Sequence, residues 1–143
     1  PANGAVYGKL YNWYAVNDPR GLAPSGYHIP TDAEWTTLTN YLGGSLVAGG
    51  KMKEIGFCHW RTPNTDATDS SGFTGLPAGI RNGTSFTSTF NEITSTSTWW
   101  SSTVNPAIGG FNSWICYLIF NSGSATRSYA TKRNGLSVRL IKD

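Results

Sequence analysis

Residues 99–143, WWSSTVNPAIGGFNSWICYLIFNSGSATRSYATKRNGLSVRLIKD, read as the closing sheet of this protein. Aromatic and β-branched residues alternate with small polar ones between Gly, Ser and Asn turn signals. Strands are predicted over about Trp114–Asn121, Ser124–Thr131 and Leu136–Ile141, with Ser122-Gly123 as a two-residue turn. Such a turn fixes register, so Asn121 is expected opposite Ser124, Ile119 opposite Thr126, Tyr117 opposite Ser128 and Ile115 opposite Ala130. Side chains alternate between the two faces of a strand. One face then carries Trp114, Cys116, Leu118, Phe120, Ala125, Arg127 and Tyr129, and reads as core with Arg127 its awkward member. The other carries Ile115, Tyr117, Ile119, Asn121, Ser124, Thr126, Ser128 and Ala130, a mixture that suits a contact surface as well as a half-buried one.

The chain of 143 residues is long enough for one domain with a proper core, spanning 1–143, and too short for two comfortable ones. Charged residues make up only 13%, and aromatics match them at 13%, the opposite of a disordered composition. The net charge of +3 is spread along the chain without a basic stripe, so nucleic acid is not an expected partner. No apolar run approaches the roughly 18 residues of a membrane span. The start at Pro1, without Met or a signal sequence, reads as the C-terminal fragment of a longer protein. Of the two cysteines, Cys116 points inward on the register above and reads as a small buried hydrophobe in preference to a bridge with Cys58.

Val6–Val16 (VYGKLYNWYAV) is aromatic and roughly alternating, and is predicted as an early strand or strand pair. Thr31 followed by Glu34 is a capping box, and Trp35, Leu38, Tyr41 and Leu42 recur at helical spacing before Gly43-Gly44. A helix is therefore predicted over Asp32–Leu42, with a second, shorter one over Val47–Ile55 weakened by Gly49 and Gly50. Gly56–Thr98 reads as mostly loop, pegged to the core by Phe73, Leu76, Pro77 and Ile80. The fold class is α+β.

Candidate chemistry is sparse. No cofactor is expected. The one candidate is calcium at Asn64, Asp66, Asp69 and Ser70, but the spacing of an EF-hand is absent and the same residues make turns. His28 and His59 read as structural; Cys58 and His59 are adjacent, so on a strand they would point to opposite faces. Acids are scarce late in the chain, where only Glu92 and Asp143 follow Asp69. No phosphate loop, zinc motif or nucleophile elbow appears, so binding is expected rather than catalysis.

YGKLYNWYAVND, GLAPSGYHIPTDAEWTTL, YLGGSLVAGGKMKE, FTGLPAGIRNG, WWSST and NGLSVRLIKD, in this order, resemble the signature blocks of the Fibrobacter-type major paralogous domain over nearly the whole chain. That family is similar to the C-type-lectin-like and formylglycine-generating-enzyme-like folds. The resemblance implies paired N- and C-terminal strands, two helices, and long irregular loops over a small antiparallel sheet. It departs from the formylglycine generators, because Cys116 has no late partner and Leu140 stands at the last-strand cysteine position. It departs from the calcium-dependent lectins too: Asn105-Pro106 lacks the preceding Glu, and Asn112-Ser113-Trp114 is not the Trp-Asn-Asp set.

Similar domains are variable proteins of diversity-generating retroelements, whose C-terminal third is rewritten at adenines, mainly in Asn codons. Such codons do not become Lys, Glu, Gln, Met or Trp, and Ser101–Thr131 contains none of these except Trp114. The expected function is thus a ligand-binding display domain diversified over about 101–134, on a virion or cell surface, facing a protein or glycan ligand. Its expected contact residues are Asn105, Ile108, Phe111, Asn112, Ile115, Tyr117, Ile119, Asn121, Ser124, Thr126 and Ser128. The alternatives are a fixed adhesin or carbohydrate-binding module and, behind it, a formylglycine-generating-type oxidase needing Cys116. No oligomeric state is assigned.

Overall fold

The computed structural model describes residues 2–84 and 89–143 and is a mixed α+β arrangement of short helices and small antiparallel sheets. Helices α1 (Ala2–Tyr7) and α2 (Trp13–Val16) are followed by strand β1 (Tyr27–His28) and helices α3 (Asp32–Tyr41) and α4 (Ser45–Met52). Strands β2 (Ile80–Arg81), β3 (Phe90–Asn91) and β4 (Thr96–Asn105) lead to a 3-10 turn at Pro106–Ile108. Strands β5 (Asn112–Ile119), β6 (Ala125–Thr131) and β7 (Ile141–Lys142) complete the chain. The main sheet has the order β4-β5-β6; β2 pairs with β3, and β1 pairs antiparallel with β7, joining the early and late parts of the chain.

Helix α3 forms where its local chemistry places it. The Thr31 hydroxyl accepts from the Glu34 amide while the Glu34 carboxylate accepts from the Thr31 amide, which satisfies two orphan donors of the first turn. Gly43 and Gly44, at φ 99° and 100°, stop it in a conformation that L side chains avoid. Helix α4 runs earlier than predicted, and the Gly49 and Gly50 that weaken it by propensity allow close approach of neighbouring backbone. A Cβ at Gly49 would overlap the Ser124 carbonyl, and one at Gly50 that of Asp66.

Three expectations are corrected. Val6–Val16 is not a strand: Asn12 caps a helical turn by accepting from the Ala15 amide, and only Tyr11 makes an extended bridge, to Leu136. With α1 and α2 added, the described residues form four α-helices where two were expected. The hairpin register is shifted by two residues, pairing Leu118 with Ala125, Tyr117 with Thr126, Ile115 with Ser128 and Ser113 with Ala130. The physical cause is Lys53. Its side chain is fully buried, and its ammonium donates to the carbonyls of Thr65, Ile119 and Ser122, pulling the connection into a wider loop than a two-residue turn. An even shift preserves which residues share a face. The last predicted strand, Leu136–Ile141, is broken: Leu136 and Ser137 bridge to Tyr11 and Trp99, and pairing resumes only at Ile141.

The sheet is covered on both sides. Cys116, Leu118 and Ala125 meet Trp35, Leu42, Ala48, Met52, Trp60 and Trp99 in one core. Ile115 meets Trp13, Val16, Ile29, Trp100 and Leu136 in a second. Four indoles also donate to backbone carbonyls: Trp13 to Ser101, Trp35 to Trp100, Trp60 to Gly75 and Trp100 to Tyr11. In a chain poor in charge, these large side chains both fill the cores and satisfy the carbonyls of irregular segments.

Candidate binding face

The face of β5 that carries Ile115, Tyr117 and Ile119 is apolar; Trp100 lies opposite Ile115 on β4, and the other cross-strand partners of these three residues are hydroxyl residues. Thr96 lies opposite Ile119 and Thr98 opposite Tyr117, while Thr126 and Ser128 lie opposite Tyr117 and Ile115 on the other side. One end of this face is closed, because Ile115, only 8% exposed, belongs to the second core. Toward Ile119 it opens into a cavity of about 300 Å³ floored by β4 and β5 and walled by Ile80, Ala130, Asn134 and Leu136. Glu92 stands at its side, at φ 64°, with its carboxylate accepting from the Thr96 hydroxyl at 2.8 Å.

The structure does not gather all the sequence-derived contact residues here. Asn105 is buried and caps the 3-10 turn by accepting from the Ala107 amide. Asn112 is buried as well, its amide oxygen accepting from the Thr131 hydroxyl at 3.4 Å. Ile108 has a side chain outside the described residues. Phe111 is 73% exposed but precedes β5, at the end away from Ile119. Asn121 is exposed in the connecting loop, and Ser124 turns its hydroxyl to the Leu46 carbonyl. Ile115, Tyr117, Ile119, Thr126 and Ser128 do share one face. Thr96, Thr98, Glu92 and Asn134 are additional lining residues; the alternation of β4 around Trp99-Trp100 was the one sequence signal that could have placed the two threonines.

The opposite face resolves the awkward arginine. Arg127 lies 3.4 Å from the Trp114 ring centroid and pairs with Asp32 through contacts of 2.7 and 2.9 Å, so it caps the first core from solvent. Tyr129, opposite Trp114, is exposed rather than core.

Other reactive groups have structural partners. His28 sits between Glu34 at 2.8 Å and Asp143 at 2.6 Å, and these carboxylates raise its pKa. His59 faces Glu54 at 2.9 Å. Both cysteines are free; Cys58 is exposed, and burial pushes the Cys116 thiol up to about 12. In the 64–70 segment, Asn64 donates to the Glu54 and Gly56 carbonyls, and Asp69 accepts from the amide and hydroxyl of Thr74. Those side chains serve turns, and the Lys53 ammonium beside Asp66 would oppose a cation. Among the described residues, no three His, Cys, Asp or Glu side chains come together as a metal site. No helix there is long and apolar enough to cross a membrane.

The model of the Fibrobacter succinogenes major domain matches residues 1–142. The chain belongs to that family. No curated protein and no solved structure matches it. Among the described residues, the sheet lies between the two buried cores, and the hydroxyl-rimmed apolar face is on the side of the second.

Proposed function

We propose that this domain is a non-enzymatic ligand-binding module of C-type-lectin-like fold. In this reading it is the variable protein of a diversity-generating retroelement, displayed on a virion or cell surface. The observation that carries the binding role is the open cavity beside Tyr117 and Ile119, set on strands that two cores hold rigid. Half-buried apolar and aromatic groups ringed by hydroxyls divide labour as paratopes do: rigid rings supply area, and small polar groups supply adaptable hydrogen bonds. The composition of Ser101–Thr131, free of Lys, Glu, Gln, Met and all Trp but Trp114, supports diversification. The buried, protonated Cys116 thiol has no partner sulfur among the described residues, which supports a binding role over oxidase chemistry.

Two experiments test this. The encoding DNA is searched for a near-copy of codons for about 101–134 that differs at adenines, beside a reverse-transcriptase gene. Its absence removes the diversification reading and leaves binding by a fixed surface. Protein and glycan arrays are then probed with the wild type and with Tyr117→Ala and Ile119→Ala. Loss of capture with retained folding is expected, and unchanged capture sinks the role of this face. The fixed adhesin or carbohydrate-binding reading is favoured by exposed Tyr129 beside Trp114 on the opposite face. It predicts glycan capture that Tyr129→Ala, not Tyr117→Ala, removes.

A further inference from the structure

We infer that the cavity beside Ile119 takes a lysine or arginine side chain presented by a polypeptide partner; the inference rests on the binding role assigned to this face above. The walls fit the stem of such a side chain. Ile80, Ile115, Ile119, Ala130 and Leu136 are aliphatic, and the Tyr117 ring adds an aromatic surface. Lysine and arginine bury their methylene stems against apolar walls while keeping the charged head at a polar edge.

Among the described residues that line the cavity, the one acidic or basic side chain is the carboxylate of Glu92, in a protein whose net charge is +3. Its placement is rigid. The Glu92 carbonyl accepts from the amides of Ser95 and Thr96, and one carboxylate oxygen accepts from the Thr96 hydroxyl. The ion pairs within 4 Å that join described residues link Arg20 to Asp18, Arg127 to Asp32, and both histidines to carboxylates other than Glu92. A carboxylate held at the edge of an apolar cavity attracts a cation whose remaining surface is apolar.

Size narrows the occupant. About 300 Å³ lies at the bottom of the range for small-molecule sites, roughly 300–1,000 Å³, and suits one long side chain. The hydroxyls of Thr126 and Ser128 continue the same face on β6, the edge strand of the sheet. They offer hydrogen bonds to the backbone on either side of the inserted residue, which a free amine lacks.

The test uses NMR titration with three probes: acetyl-Ser-Thr-Lys-Ser-amide, the same peptide with norleucine for lysine, and putrescine. The lysine peptide is expected to shift the amides of Tyr117, Ile119 and Ala130. Its binding should weaken about tenfold with norleucine or in Glu92→Gln, as loss of a charge-assisted hydrogen bond implies. It should also weaken as salt rises. Glu92→Gln keeps an acceptor for Thr96, and an unchanged spectrum elsewhere verifies its fold. Equal binding of the norleucine peptide, or no response at these amides, overturns the inference. Putrescine binding as tightly as the peptide overturns the polypeptide assignment. If Tyr117→Ala abolishes binding while Glu92→Gln does not, the cationic occupant is wrong and the binding face stands; if neither matters, both fall.

Discussion

His28 shows how much one side chain can join in this protein. Both ring nitrogens lie within hydrogen-bond distance of carboxylates, from Glu34 in α3 and from Asp143 just after β7, and these are the charged groups that face it. Only the imidazolium donates from both nitrogens, so the folded state favours protonation and the pKa is raised. A raised pKa contributes stability that is fully present below the unfolded value of about 6.5 and is lost as pH rises through the folded value. The melting temperature should therefore fall as pH climbs from about 6 through that window, and His28→Gln should flatten the step. Circular-dichroism melts at closely spaced pH values measure it; a step that survives in His28→Gln assigns it to another group. Arg127 makes a related point about reading single residues. Its place on the inward face looked costly, yet a ring beneath it and a carboxylate beside it make it a cover for the core.

At the scale of elements, what is local was legible and what depends on distant partners was not. The capping box and glycine stop of α3 lie within residues 31–44, so the helix could be read directly. The register of β5 and β6 could not, because Lys53 sets the loop between them from 66 and 69 positions away. The aromatic alternation of Val6–Val16 misled for the same reason: Trp13 and Tyr11 are placed by contacts to Ser101 and Leu136. Burial pushes the Lys53 ammonium down to about 8 against the pull of Asp66, so it remains mostly charged at neutral pH. Replacing it by Met leaves buried carbonyls without a donor, and a loss of about 3 kcal/mol is expected. Hydrogen exchange should locate the effect at residues 119–125; uniform acceleration across the protein would count against a local clamp. Gly49→Ala tests the neighbouring contact. Helix propensity alone would favour alanine by about 1 kcal/mol. The overlap with the Ser124 carbonyl should win and leave the protein destabilised by about 2 kcal/mol in urea unfolding.

The whole molecule sets which positions of the binding face are free to vary. The sheet lies between two cores, so a residue on the binding face can also be part of the second core, and Ile115 is both. The face was readable from alternation; its closure at one end was not, because Trp13, Ile29 and Leu136 come from segments with no periodic link to the hairpin. Ile115→Ala should cost about 2–4 kcal/mol, the range for deleting buried methylene groups. Exposed or half-buried Phe111, Tyr117, Ile119, Asn121, Thr126 and Ser128 should accept most small and polar residues at well under that cost. A saturation library over 101–134, sorted for folded protein independently of any ligand, is expected to show tolerance at those six positions. It should show depletion at Asn105, Ser113, Ile115 and Leu118, all buried. Because folding alone is selected, the pattern separates scaffold from contact surface without knowing the partner. Depletion at Tyr117 and Ile119 as strong as at Ile115 and Leu118 would mean that the face is core, and the binding role would lose its physical basis.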